Sequence, residues 1–279
     1  MKRILSIALC LMAASLLTAC HQKTAPAVAP ADTLVTPADT LAFDSVVVRR
    51  QVPLYKDRET PYYEVDIKLL YARGDAPAAR RVNDSLMAAR LFDVIEDHSP
   101  VMPTIQATVD TFAARYERAW HKDIRDAEYH PDSVPEFLNY TFSLRTWTEP
   151  AGPGRLAYCA FTEIYQGGAH GTYVMNVMNF DTRTGQLLSM DDIFKPGYER
   201  PLLRLIMKQM AQDMELKDDS LSTLREAGFF YDMEPVLPQV FQLRQDSIFF
   251  TYNVYDIAPY ALGAIGVNLS KAQMRDLLK

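Results

Sequence analysis

Six apolar residues, Ile105, Val109, Phe112, Tyr116, Trp120 and Ile124, recur at steps of four, three, four, four and four. That spacing lines one face of an α-helix and no face of a strand. Pro103 and Thr104 stand ahead of the run, with Thr104 as its N-cap, and Arg115, Glu117, Arg118, Lys122 and Asp123 supply a solvated opposite side. A stripe this rich in large aromatics must be covered by a second layer. Tyr63, Val65, Ile67, Leu69 and Tyr71 provide one, because they alternate at the strand period of two.

More strands are expected at residues 140–147, 155–165 and 172–180. The turn Gly152-Pro153-Gly154 and the loop Gly167-Gly168-Ala169-His170-Gly171 separate them, which predicts antiparallel neighbours in a meander. A helix over 77–94 would bury Val82, Leu86, Ala89 and either Phe92 or Asp93, and another after Pro201 would bury Leu202, Ile206, Met210 and Met214. Late strands fall at 249–254 and 266–269. Ser270 with Gln273 makes a capping box, stapled by Leu269 and Met274, for a short terminal helix. The pattern reads as α+β: mostly antiparallel sheets with several amphipathic helices packed on them, and no βαβ rhythm for a doubly wound parallel fold.

Ahead of these elements Lys2 and Arg3 precede an apolar run over residues 4–17, too short for the roughly 20 residues that cross a bilayer. This is the layout of an export leader. Its end, Leu17-Thr18-Ala19-Cys20, resembles the bacterial lipobox. That resemblance implies cleavage after residue 19 and a lipid-modified Cys20, bearing diacylglycerol and an amide-linked chain such as palmitate. Cys10 would leave with the leader and Cys20 would carry lipid, so Cys159 alone remains and no intrachain disulfide can form. Cys159 lies in an apolar run and reads as a small buried hydrophobe. The expected organisation is a leader at 1–19, an Ala/Pro/Thr-rich tether at 20–45 and an α+β envelope domain at 46–279, with 166–185 as the place where two sub-domains would meet.

The net charge of −6 repels phosphate backbones and sets nucleic acid aside as a partner. The signatures of hydrolases, metalloproteases, nucleotide-binding loops and Ca²⁺ loops are missing, so no catalytic residue, metal or cofactor is expected. Triplets of Asp, Ser or Thr, and an aliphatic residue recur seven times, for example Asp44-Ser45-Val46 and Asp219-Ser220-Leu221. They resemble the acceptor pattern of a periplasmic O-glycosylation system and also suit turns and helix caps, evenly in the tether and with the turn or cap preferred inside the domain.

The candidate ligand-binding residues are Gly167, Gly168, His170 and Gly171, in a loop where small neighbours expose an imidazole, and Tyr252, Tyr255 and Tyr260, whose rings have an apolar body and a polar tip. If His170 instead served a catalyst, Glu163, Asp191, Asp192 or Asp256 would have to assist it.

The loop Gly167–Gly171, then Asn179-Phe180-Asp181 with Thr184-Gly185 and Met190-Asp191-Asp192-Ile193-Phe194, then Tyr255-Asp256-Ile257-Ala258-Pro259-Tyr260-Ala261-Leu262-Gly263, resemble three landmarks of a domain family of unknown function. The family is shared by the extracellular part of the lysozyme-sensing anti-sigma factor RsiV and the N-terminal region of the peptidoglycan deacetylase PdaC. The resemblance spans 62–279 and implies an α+β domain at the cell envelope.

The expectation is therefore a lipid-anchored, non-catalytic binding module, facing the periplasm from the outer membrane. Its ligand would be a peptidoglycan-derived glycan or a lysozyme-like protein. A cell-wall glycan hydrolase or deacetylase using His170, and a structural lipoprotein, are the alternatives. With at least two acyl chains holding the anchor, Cys20→Ala should move the protein from the membrane pellet to the soluble envelope fraction. Unchanged sedimentation would refute lipidation.

Overall fold

The computed structural model describes residues 41–57, 59, 61–92, 102–127 and 138–279. The leader, Cys20, most of the tether, Asp93, the triplets at Asp32 and Asp132, and Asp39 and Thr40 of a third triplet lie outside them.

Six strands form one sheet in chain order: β1 (Phe43–Pro53), β2 (Tyr62–Ala72), β3 (Tyr140–Pro150), β4 (Arg155–Gln166), β5 (Thr172–Asp181) and β6 (Leu187–Leu188). A second sheet contains β7 (Val240–Leu243), β8 (Ser247–Tyr252) and β9 (Ile265–Ser270). All pairs are antiparallel except β2 with β3. Between those two lie α1 (Pro77–Ala88) and α2 (Ile105–Asp126). The helices carry the chain back to the end from which β2 began, so the simple meander expected from the turns contains one parallel crossover. Phe43, Asp44 and Ser45, placed in the tether by composition, are ladder residues opposite Ala72, Tyr71 and Leu70.

The first core is the α2 stripe on the sheet. Val109, Phe112, Tyr116 and Trp120 are fully buried with Val65, Ile67, Phe142 and Leu144. The Thr104 hydroxyl accepts from Ala107 N at 3.1 Å and fixes the start of the helix. The polar tips are satisfied as well: Trp120 Nε1 donates to Leu138 O at 2.8 Å, and the Tyr116 and Tyr158 hydroxyls donate to Thr141 O at 3.0 Å and Leu70 O at 2.7 Å. Aromatic area is thereby buried without stranding a donor. Helix α1 stops short of residue 94, where Arg90 adopts a φ of 53°, yet Phe92 still reaches the core.

The second core lies on the other face of β4. Ala157 joins Ile248, Phe250, Val267 and Leu269 of the small sheet, and Leu202, Ile206 and Met210 of α4 (Glu199–Asp213). Two shorter helices are started by local caps. Asp192 accepts from Ser189 N ahead of α3 (Met190–Ile193), and Ser220 Oγ accepts from Thr223 N ahead of α5 (Leu221–Glu226). The Asp219 triplet thus works as a helix cap. The Ser270–Gln273 box also forms, and Leu269 and Met274 are fully buried. No terminal helix follows, because the chain end turns onto α3, where Phe194 and Leu278 form a bridge and Lys195 N donates to Leu277 O.

Two asparagines join the sheets across β5. Asn179, 1% exposed, donates through Nδ2 to Phe241 O and accepts from Leu243 N, both at 2.8 Å. Asn253 accepts from Met175 N at 2.8 Å and donates to Met175 O at 3.0 Å. Each side chain imitates a neighbouring strand. Beside them Glu149 accepts from Trp147 Nε1 and Gln242 Nε2, and the Arg244 guanidinium lies 4.5 Å from the centre of the Phe249 ring.

Truncation of Asn179 removes two hydrogen bonds and strands a buried donor and acceptor, so Asn179→Ala should cost about 2–4 kcal/mol. A fall in the urea midpoint measures it, and an unchanged midpoint would refute the clamp. Burial pushes the Cys159 thiol up to about 12, whereas an unfolded thiol ionises near about 8.5. The folded state keeps a proton that the unfolded chain gives up, so the stability this thiol contributes should fall as pH rises between those values. Below pH 8 Cys159 should resist iodoacetamide until the protein unfolds, a result that intact mass would reveal.

Candidate functional site

The β4–β5 hairpin and the segment after β8 meet at one end of β5. Gly167 and Gly168 take φ of 88° and 93°, and a Cβ on Gly171 would approach Ile164 O to 2.8 Å, so this tight loop is built on glycines. It presents His170 to solvent. The imidazole Nδ1 lies 2.8 Å from Gly171 O. A carbonyl can only accept, so Nδ1 is the donor in this contact.

From the other side comes the turn 253–256. Asp256 N donates to Asn253 O at 3.1 Å, and the Asp256 carboxylate accepts from Asn253 N at 2.7 Å. Val254 and Ile257 are buried while Tyr255 is thrown outward, 60% exposed, at a φ of 70°. Left-handed backbone is costly for a residue with a bulky Cβ substituent, of order 1 kcal/mol. Strain and exposure of a large apolar ring thus coincide at one residue.

Tyr260 closes the arrangement. Its ring stacks on His170 with centroids 4.0 Å apart and planes 17° from parallel. Tyr255 lies 5.6 Å from Tyr260, Tyr173 meets Tyr260 edge-on at 6.2 Å, and Phe161 lies 5.9 Å from Tyr173. The Tyr173 hydroxyl accepts from Ala264 N at 3.2 Å, which ties β5 to the start of β9. The result is an aromatic platform of four side chains around Tyr260. Phe161 and Tyr173 were not singled out in the sequence, because alternation on a strand reads as core until the register shows which face stays open.

Tyr252 does not belong to the platform. It is 1% exposed, its hydroxyl donates to Val236 O at 2.6 Å, and burial raises its ionisation well above the usual tyrosine range. The reason is strand phase: Tyr252 ends β8 on the face turned to the second core.

The carboxylates considered for a catalyst are dispersed. Asp191 accepts from the Tyr198 hydroxyl at 3.2 Å, Asp192 caps α3 from Ser189, and Asp256 holds its own turn. Hydrogen bonds from Ser189 hold the Asp192 carboxyl below the usual range. Glu163, exposed and opposite Tyr173 in the ladder, borders the platform, and so does Asp256 in the turn that carries Tyr255. Among the described residues no three His, Cys, Asp or Glu side chains group so as to hold a metal ion.

The platform also has apolar surroundings. Tyr231 is 72% and Leu262 44% exposed. Phe230 N donates to Ile257 O at 2.7 Å, which brings the 228–231 segment beside the turn.

Residues 191–272 match the family described as "Protein of unknown function (DUF3298)". The match takes in the second half of the landmark sequence and the Tyr255–Tyr260 segment, while the His170 loop lies ahead of it. A curated relative, the peptidoglycan-N-acetylmuramic acid deacetylase PdaC of Bacillus subtilis, is 24% identical over 178 residues. That alignment spans 63% of this chain and 36% of PdaC, so the chain corresponds to about a third of that enzyme.

A crystal structure of a DUF3298 family member from Bacteroides fragilis superposes with a TM-score of 0.73 at 24% identity, over 87% of this chain and 95% of the other. A DUF3298 family protein from Pseudomonas aeruginosa gives 0.60 at 17% identity, over 87% and 96%. Both share the α+β fold of this chain.

Proposed function

We propose that this protein is a cell-envelope binding module that recognises a peptidoglycan-derived glycan on its aromatic platform and does not transform it. Lipid on Cys20 would hold the module at the outer membrane, facing the periplasm. The His170–Tyr260 stack at 4.0 Å, with exposed Tyr255 beside it, is the observation that carries the reading. Stacked rings offer flat apolar faces to the C–H faces of pyranoses, and their polar edges suit sugar hydroxyls. Glu163 and the His170 imidazole add polar groups at the rim. Strain at Tyr255 supports the same reading, since a backbone cost borne by an exposed residue points to use of its side chain.

The curated relative acts on peptidoglycan, as its name states, and this supports a peptidoglycan-derived ligand. Its deacetylase activity is not carried over, because three of the four carboxylates considered, Asp191, Asp192 and Asp256, are engaged in structural hydrogen bonds. A lysozyme-like protein is the second candidate ligand. Exposed Tyr231 and Leu262 favour it, since they enlarge the platform toward the apolar patch that a protein partner buries.

Capture on insoluble peptidoglycan, and titration with soluble muropeptides and with lysozyme, tests both readings. Removing a central tyrosine anchor costs about 1–2 kcal/mol, or roughly tenfold in affinity. Tyr260→Ala should therefore weaken muropeptide binding about tenfold. Tyr255→Gly should do the same while leaving stability unchanged or slightly improved, since glycine relieves the left-handed backbone. Binding untouched by both changes would defeat the platform as the site, and binding of lysozyme alone would transfer it to the protein ligand.

A further inference from the structure

At the opposite end of β5 from the platform, the turn after Asp181 is seated on the first turn of α1. Gly185, at a φ of 71°, lies so close that any Cβ there would collide with the Ala78 carbonyl. This contact leaves an open cleft of about 400 Å³ lined by Arg73, Arg81 and Arg183. Among the described residues no acidic side chain lines it. Arg81 Nη1 reaches Thr184 O at 3.3 Å, which fixes one guanidinium at the wall. Among the described residues the side chains of Arg73 and Arg183 make no hydrogen bond or ion pair. The nearby Asp181 carboxylate takes Thr184 N, the Thr184 hydroxyl and Arg183 N on Oδ1, and its charge acts on Arg183 without an ion-pair contact.

Three guanidiniums with the single Asp181 carboxylate nearby, in a chain whose net charge is −6, carry excess positive charge and gain from a shared anion. A carboxylate has two oxygens and a single charge. A phosphate group has more acceptor oxygens and, as a monoester, a charge near −2, which suits several guanidinium forks at once. Ala76, the N-cap of α1, makes no side-chain capping bond, so free helix N–H groups face the same region. The helix end by itself would hold an anion weakly; the arginines make the cleft a site.

The geometry points to a phosphate-binding cleft formed by Arg73, Arg81 and Arg183, separate from the aromatic platform and independent of what that platform binds. Leu41 and Ala42 line the cleft, so the chain leading back to Cys20 starts at its rim. A lipid headgroup phosphate is then one source of the ligand, and a soluble phosphate ester is the other.

Amide hydrogen exchange over residues 73–81 distinguishes these sources in the full chain held in dodecyl maltoside micelles, which contain no phosphate. Inorganic phosphate at about ten times its dissociation constant should slow exchange roughly tenfold. The double variant Arg73→Gln/Arg183→Gln, which leaves the Arg81–Thr184 contact in place, should abolish that protection, whereas Lys208→Gln on α4 should not. Equal protection in micelles containing phosphatidylglycerol without added phosphate identifies the headgroup as ligand. Protection by inorganic phosphate alone identifies a soluble ester. Absence of protection in both, or protection retained by the double variant, overturns the proposal.

Discussion

The architecture rests on two carboxamides. Asn179 and Asn253 face each other's sheets across β5, and each offers one donor and one acceptor to main chain that has no strand neighbour there. An apolar seam could glue the two sheets but would leave their sliding free, since hydrophobic contact is non-directional. A pair of bidentate bonds fixes the offset. Asn83 repeats the device at smaller scale, bonding N and O of Ala72 at 2.8 Å and pinning α1 to the end of β2.

The platform inherits that offset. Asn253 opens the turn that throws Tyr255 outward, and its bond to Met175 sets this turn over β5 two residues from Tyr173. Tyr260 then falls on His170 because both loops are anchored to the same strand, one by covalent continuity and the other by the clamp. Loops placed in this way on a rigid frame are where recognition residues concentrate. The cleft at the far end of β5 obeys the same logic, since the 182–185 turn is continuous with the strand and Gly185 lets it close on α1.

The two cores divide the work of stability between them. With Cys159 the one free thiol among the described residues, and buried, no covalent staple supports the sheets. The α2 stripe and the small sheet must instead cover both faces of β4, where Ala157, Tyr158, Cys159 and Ala160 are buried in succession. The resemblance to crystal structures of DUF3298 proteins at 24% and 17% identity shows that this arrangement tolerates wide substitution. Such tolerance is expected when volume and apolar pattern, more than particular side chains, maintain a core.

By itself the sequence determined the local facts. The stripe from Val109 to Ile124 had to be a helix, the alternation at 63–71 had to be a strand, and the glycines around His170 had to be a tight exposed turn, because each follows from backbone periodicity or φ preference over a few residues. Strand β7, the parallel pairing of β2 with β3 and the open face bearing Phe161 and Tyr173 were decided only in three dimensions. So was the division among the tyrosines: Tyr252, Tyr255 and Tyr260 look alike in sequence, but strand phase sends the first into the core and a left-handed turn sends the second into solvent. Long-range partners such as Asn179 with Leu243, or Arg73 with Arg183, leave no local trace, because nothing in a short window encodes which distant backbone will come to lie beside it.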